Sequence, residues 1–175
     1  MDGWRQALAE LAGDGLVSLK RQAFLLCGDE HHAEDLLQEA LLRAFARPVR
    51  APRPAAARAY VRTVMVHLFI DESRRHARWR RTAQLLARVE DVGDPADEIV
   101  TRDAVWTALS ELSPRQRACV VLRYYEDLPV PQVAAALGIA EGTAKRYLSE
   151  AMIRMAGSLS LAHNPAAGDE NHADH

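Results

Sequence analysis

The sequence predicts an all-α fold of two small helical domains joined by a flexible acidic linker, and three observations carry that reading. Apolar residues recur at steps of three and four along nearly the whole chain, while β-branched alternation is scarce. A run rich in arginine, "RRHARWRR" from Arg74 to Arg81, gives way abruptly to the acidic "VEDVGDPADE", which carries Gly93 and Pro95. Beyond it, Ser113, Pro114 and Gln116 stand as N-cap, first helical residue and capping-box partner of a new helix. On this reading one domain covers residues 1–82, the linker 83–99 and the second domain 100–158. Residues 159–175 have no apolar periodicity and read as a disordered tail.

Composition narrows the function classes. A chain of 175 residues with 49% hydrophobic content can fill one compact core or two small ones, and the net charge of −2 gives no global nucleic-acid signal. Any nucleic-acid function must therefore rest on local charge. Cys27 and Cys119 are far apart and lack CxxC or Cys/His zinc spacing, the pattern of two reduced thiols in a cytoplasmic protein. No segment approaches the roughly 20 apolar residues of a membrane span, so stable membrane insertion is not expected.

In chain order, a first helical region is expected over about residues 4–27, stopping where Gly28 can adopt the left-handed C-terminal conformation. The next helix contains "AEDLLQEALLRAF". Leu36, Leu37, Ala40, Leu41, Ala44 and Phe45 form its apolar stripe, and Asp35, Gln38 and Glu39 lie along the edge. Two carboxylates four residues apart repel by a few tenths of a kcal/mol, which Arg43 only partly offsets. That edge is either a solvated rim or a docking face for a basic partner. "RPVRAPRPAAAR" follows as a proline-broken, arginine-rich loop.

A long helix is expected from Ala55 to about Trp79, with Tyr60, Val61, Val64, Met65, Leu68 and Phe69 on its apolar side. Its C-terminal half is basic, with Arg74, Arg75, Arg78, Arg80 and Arg81, and Trp79 or Tyr60 can stack on an unpaired base. After the linker come two further helices and then "PVPQVAAALGIAEGTAKRYLSEAMIRM", a short helix, a turn at Gly138 and a second helix from Glu141. This is the layout of a helix-turn-helix, whose second helix enters the major groove. Thr143, Lys145, Arg146 and Ser149 belong on its outer side.

These segments together resemble the extracytoplasmic-function (ECF) sigma factors of the sigma-70 family, small RNA polymerase subunits that choose promoters. "AEDLLQEALLRAF" looks like the group's core-binding helix, and "YVRTVMVHLFIDESRR" like its −10-reading helix. "LSPRQRACVVLRYYEDLPVPQVAAALGIAEGTAKRYLSEA" looks like its −35-reading domain. The resemblance implies polymerase contacts at Asp35, Leu36, Gln38 and Glu39, made to the beta-prime clamp helices, with the beta flap as a further partner surface. It implies −10 DNA contacts at Tyr60, Arg62, His67, Asp71, Arg74, Arg75 and Arg78, where a flipped base is captured. It implies −35 contacts at Arg115, Thr143, Lys145, Arg146, Ser149 and Glu150. It also implies control by an anti-sigma factor and a linker that threads the polymerase's RNA channel.

Some positions depart from the family pattern. His67 stands where Asn is usual, His32 where Asp is usual, and Glu150 where Arg is usual. Pro129 and Ala140 stand where Ser is common, so two N-caps worth about 1 kcal/mol each are missing and −35 binding by the second domain alone should be weak. Two other readings stay open: a helix-turn-helix regulator without initiation activity, and a sigma-fold interaction protein. An enzyme is not expected, since no phosphate loop or nucleophile motif is present. No cofactor or metal is expected either, because His67 and Asp71 lack the third ligand a metal site needs.

Overall fold

The computed structural model describes residues 11–46, 54–86 and 104–163, and every regular element among them is helical. Seven α-helices are α1 (Asp14–Cys27), α2 (Glu30–Ala46), α3 (Pro54–Leu86), α4 (Ala104–Ser110), α5 (Pro114–Val120), α6 (Val130–Leu137) and α7 (Glu141–His163). A π-helical turn, Val121–Tyr125, extends α5. The linker core, the arginine-rich loop after α2 and the last residues of the tail lie outside the described residues.

Helix boundaries follow local chemistry, with three departures from expectation. Within the described part of the first helical region a break falls at Gly13, at φ 103°, before α1, which closes on Gly28 at φ 76° with its N–H donating to the Phe24 carbonyl. Only glycine takes such angles without strain. Helix α3 runs past Trp79 to Leu86 and α7 past residue 158 to His163, so both overrun the linker and tail boundaries expected from composition. At α5 the expectation and the structure agree. The Ser113 hydroxyl accepts from the Gln116 backbone N–H, and the Gln116 side-chain Oε1 accepts in return from the Ser113 N–H. Helix α6 starts at Pro129 with no side-chain cap, as its sequence implied.

Helices α1, α2 and α3 pack as one unit around Leu19, Ala23, Leu26, Leu36, Ala40, Val61, Met65 and Val66, all at most 4% exposed. Helices α4 to α7 form a second around Leu122, Val133, Ala144 and Ala151. Burial of such side chains stabilises each by about 1.5–3 kcal/mol relative to exposure. The two units are not merely tethered. Leu26, Phe69, Leu109 and Leu122 belong to one continuous apolar cluster spanning both.

Candidate nucleic-acid interface

The acidic edge of α2 is set by the register of its apolar stripe. Leu36 and Leu37 are buried while Asp35, Gln38 and Glu39 are exposed. Glu39 accepts from Arg43 Nε at 2.6 Å, one helical turn on. Asp35 has no ion-pair partner among the described residues. Leu36, expected as a polymerase contact, is 4% exposed and fills the core, so it supports the edge from beneath. The neighbouring acids are committed: Glu30 and Glu34 flank Lys20 Nζ at 3.3 and 2.6 Å. The hydrogen bond to Glu34 raises the Lys20 pKa, and the same bond lowers that of Glu34.

On α3, Tyr60, His67, Asp71, Arg74, Arg75 and Arg78 are all exposed, and Trp79 is 70% exposed. Arg62 is different. Its Nη1 donates to Glu126 Oε2 at 2.8 Å and its side chain is only 14% exposed. Glu126 lies just beyond the π-helical turn, and Arg58 Nη2 reaches the same oxygen at 3.2 Å. The carboxylate so held is 2% exposed.

The helix-turn-helix presents Lys145, Arg146 and Ser149 to solvent, with Thr143 half-buried. Gly138, at φ 62°, makes the turn, and Ile139 tucks against the core. Glu150, expected on the DNA side, is partly spoken for inside the domain. It accepts from Gln116 Nε2 at 2.8 Å and lies 3.8 Å from Arg146 Nε, tying α7 to the capped start of α5. Arg115 does not join the exposed face of α7. With Leu137, Gly138 and Ile139 it lines a small cavity of about 220 Å³ against His67, Ile70, Asp71 and Arg74 of α3.

Several residues that matter here were not singled out from sequence. Arg117 donates to three backbone carbonyls: Leu109 at 2.9 Å, Ser110 at 3.0 Å and, across the two units, Leu26 at 2.7 Å. A cation there sits at the C-terminal ends of α1 and α4, where unpaired carbonyls concentrate negative charge. Its guanidinium also lies 5.1 Å from the Trp106 ring and 5.8 Å from that of Phe69. Burial lowers its pKa. Tyr125 Oη donates to the Ser18 carbonyl at 3.2 Å, and His32, noted in the sequence only as a departure from the family pattern, places Nε2 3.1 Å from Glu72. An acid beside paired tyrosines in "RYYEDL" was the available signal, but nothing in that stretch reports that Glu126, at the C-cap of the π-helical turn, meets α3.

Cys27 and Cys119 are free thiols, and burial pushes each pKa up to about 12. They are poor nucleophiles at neutral pH. A groove of about 850 Å³ between the units is lined by Val17, Phe24, Val121, Tyr124, Met152 and Met155 among others.

Comparison with known proteins agrees with this arrangement. Sigma-70 region 2 matches residues 15–79, and Sigma-70 region 4 matches residues 102–155. The chain is 39% identical over 139 residues to the ECF RNA polymerase sigma factor SigL of Mycobacterium tuberculosis, covering 77% of this chain and 78% of that one. It is 35% identical over 145 residues to the RNA polymerase sigma-E factor of Streptomyces coelicolor, covering 79% and 77%. The fold matches that of the sigma factor RpoE, solved with the anti-sigma factor NepR from Bartonella quintana, with a TM-score of 0.63. That match is 24% identical and covers 91% of this chain and 98% of the other. Two sigma regions in the family's order, on an all-α frame and with relatives of this identity, place the chain among the ECF RNA polymerase sigma factors of the sigma-70 family.

Proposed function

We propose that this sigma factor docks on the beta-prime clamp helices of core RNA polymerase through Asp35, Gln38 and Glu39. The observation that carries the reading is the acidic edge itself: exposed, held rigid over a packed helix face, with Asp35 unpaired among the described residues. Charge-assisted hydrogen bonds to basic groups outweigh the small repulsion within α2. Tyr60, Arg62, His67, Asp71, Arg74, Arg75 and Arg78 then engage the −10 element. Thr143, Lys145, Arg146 and Ser149 of α7 engage the −35 element, and Arg115 does so from α5, apart from the α7 face. The polymerase does the chemistry and this chain supplies recognition, acting in the cytoplasm. No helix among the described residues is long and apolar enough to cross a membrane.

An anti-sigma factor is the natural opposing partner, and the apolar groove between the two units suits an amphipathic helix from it. The test of the main reading is run-off transcription with purified core polymerase and a pool of genomic promoter fragments. Discrete transcripts that require the added chain support initiation. Binding to core without transcripts favours an interaction protein, a reading to which the uncapped α6 lends weight. Failure to bind core removes the proposal.

A further inference from the structure

We propose that Glu126 is an internal competitor for promoter DNA: its carboxylate occupies Arg58 and Arg62 of the −10-reading helix and latches the two domains closed. This rests on the reading of α3 as the −10 helix. The carboxylate at 2% exposure has left water almost completely, and Arg58 and Arg62 are the cations that make this tolerable. A DNA phosphate offers the same arginines the same charge-assisted bond. Arg62 cannot hold both. Glu126 comes from the second domain, so releasing the arginines to DNA means withdrawing that domain from α3.

Other contacts close together with it. Arg117 reaches the Leu26 carbonyl, Tyr125 the Ser18 carbonyl, and Trp106 lies against Phe24 and over Gly28. Arg115 and the turn of the helix-turn-helix stand beside His67, Asp71 and Arg74. Closure therefore places the −35 domain against the −10 face. The latch is openable because separated ions regain their hydration, which offsets much of what the buried pair provides. Closure and DNA binding then oppose each other reciprocally, and apparent affinity falls by the fraction of molecules that are open.

The test uses the full chain and needs no promoter sequence. Binding to a fluorescent pool of random single-stranded 12-mers is compared for wild type, Glu126→Gln, Tyr125→Phe and Asp127→Asn. Alkylation of Cys27 and Cys119 is followed in parallel by peptide mass spectrometry. Asp127→Asn removes the same charge one residue away, but the Asp127 side chain is 97% exposed and, among the described residues, pairs with Arg123 alone. Glu126→Gln is expected to bind about fivefold tighter and Tyr125→Phe about twofold, with Asp127→Asn near wild type. Cys27, next to the Leu26 and Gly28 contacts, is expected to label faster in Glu126→Gln while Cys119, inside the second domain, does not. Equal gains in Glu126→Gln and Asp127→Asn would reduce the effect to net charge and overturn the latch. So would an unchanged Cys27 rate in both Glu126→Gln and Tyr125→Phe. If Glu126→Gln exposes both thiols it has unfolded, and Tyr125→Phe alone decides. A pull-down of wild type with core polymerase separates the two ideas: its failure sinks the sigma reading, whereas the thiol rates judge the latch by themselves.

Discussion

The acidic edge of α2 and the arginine face of α3 are the two charged surfaces of the N-terminal unit, and the structure treats them oppositely. Asp35, Gln38 and Glu39 face solvent, with Asp35 unpaired among the described residues. Arg58 and Arg62 are engaged by a carboxylate from the other domain, while Arg74 and Arg75 further along the same helix remain exposed. On the proposed reading the free chain therefore offers its polymerase dock openly and its DNA face only in part. This asymmetry suits a subunit that should meet polymerase before it grips a promoter.

The strongest way to break the comparison is to reverse the ready surface. Asp35→Arg/Glu39→Arg turns charge-assisted contacts into repulsion at two points. Affinity for core polymerase is expected to fall about 100-fold, or ~2.7 kcal/mol, with helical content unchanged. Loss of affinity by less than threefold would mean that the edge is only a solvated rim. A smaller effect is expected on the other surface. Arg74→Ala/Arg75→Ala should leave core binding intact and weaken single-stranded DNA binding about tenfold. It should also lower the slope of log affinity against log salt by about 1.4, the share of two phosphate contacts. An unchanged slope would assign these arginines to solvent.

How much of this was legible beforehand depends on the range over which the signal acts. The all-α class, the α5 capping box, the stop at Gly28 and the missing cap of α6 are local, and local chemistry wrote them into short stretches of sequence. The exposed edge of α2 was legible because one helical period fixes both its faces. Leu36 lies on the apolar stripe that the same period defines, and its 4% exposure places it beneath that edge. Glu126, Arg117 and Trp106 were out of reach. Their partners lie about 64, 91 and 78 positions away, and nothing in a linear pattern reports which surfaces of two domains meet. The bond between Glu150 and Gln116 was hidden for the same reason, since the two belong to different helices.

Gly28 offers a way to disturb closure without touching a charge. At φ 76° a side chain is strained, and a Cβ there would overlap the Trp106 ring. Gly28→Ala should therefore cost about 1–2 kcal/mol of stability, combining backbone strain with displacement of the ring. Thermal unfolding should shift down by about 2–8 °C. Trp106→Ala in the same background tells the two causes apart. If it restores none of the faster Cys27 labelling expected of Gly28→Ala, the substitution acts through α1 alone and not through the domain contact.

The smallest expected effect lies on the acidic side, among the carboxylates already in use. Lys20 bonds Glu34 at 2.6 Å on the open surface between α1 and α2. That bond depresses the Glu34 pKa, so its contribution to stability is present above the ordinary glutamate value and lost as pH falls through the folded one. The same bond raises the Lys20 pKa, so the contribution is complete below the ordinary lysine value and lost as pH rises through the folded one. The pair should matter only between these limits. Comparing wild type with Lys20→Met/Glu34→Gln, a difference in melting temperature should be small, widest near neutral pH, and absent at pH ~2 and in ~1 M salt. A difference that persists in acid would come from packing of the Lys20 stem, not from charge. Polymerase affinity should not change in this variant, because the ion pair has already withdrawn Glu34 from the surface that Asp35 still offers.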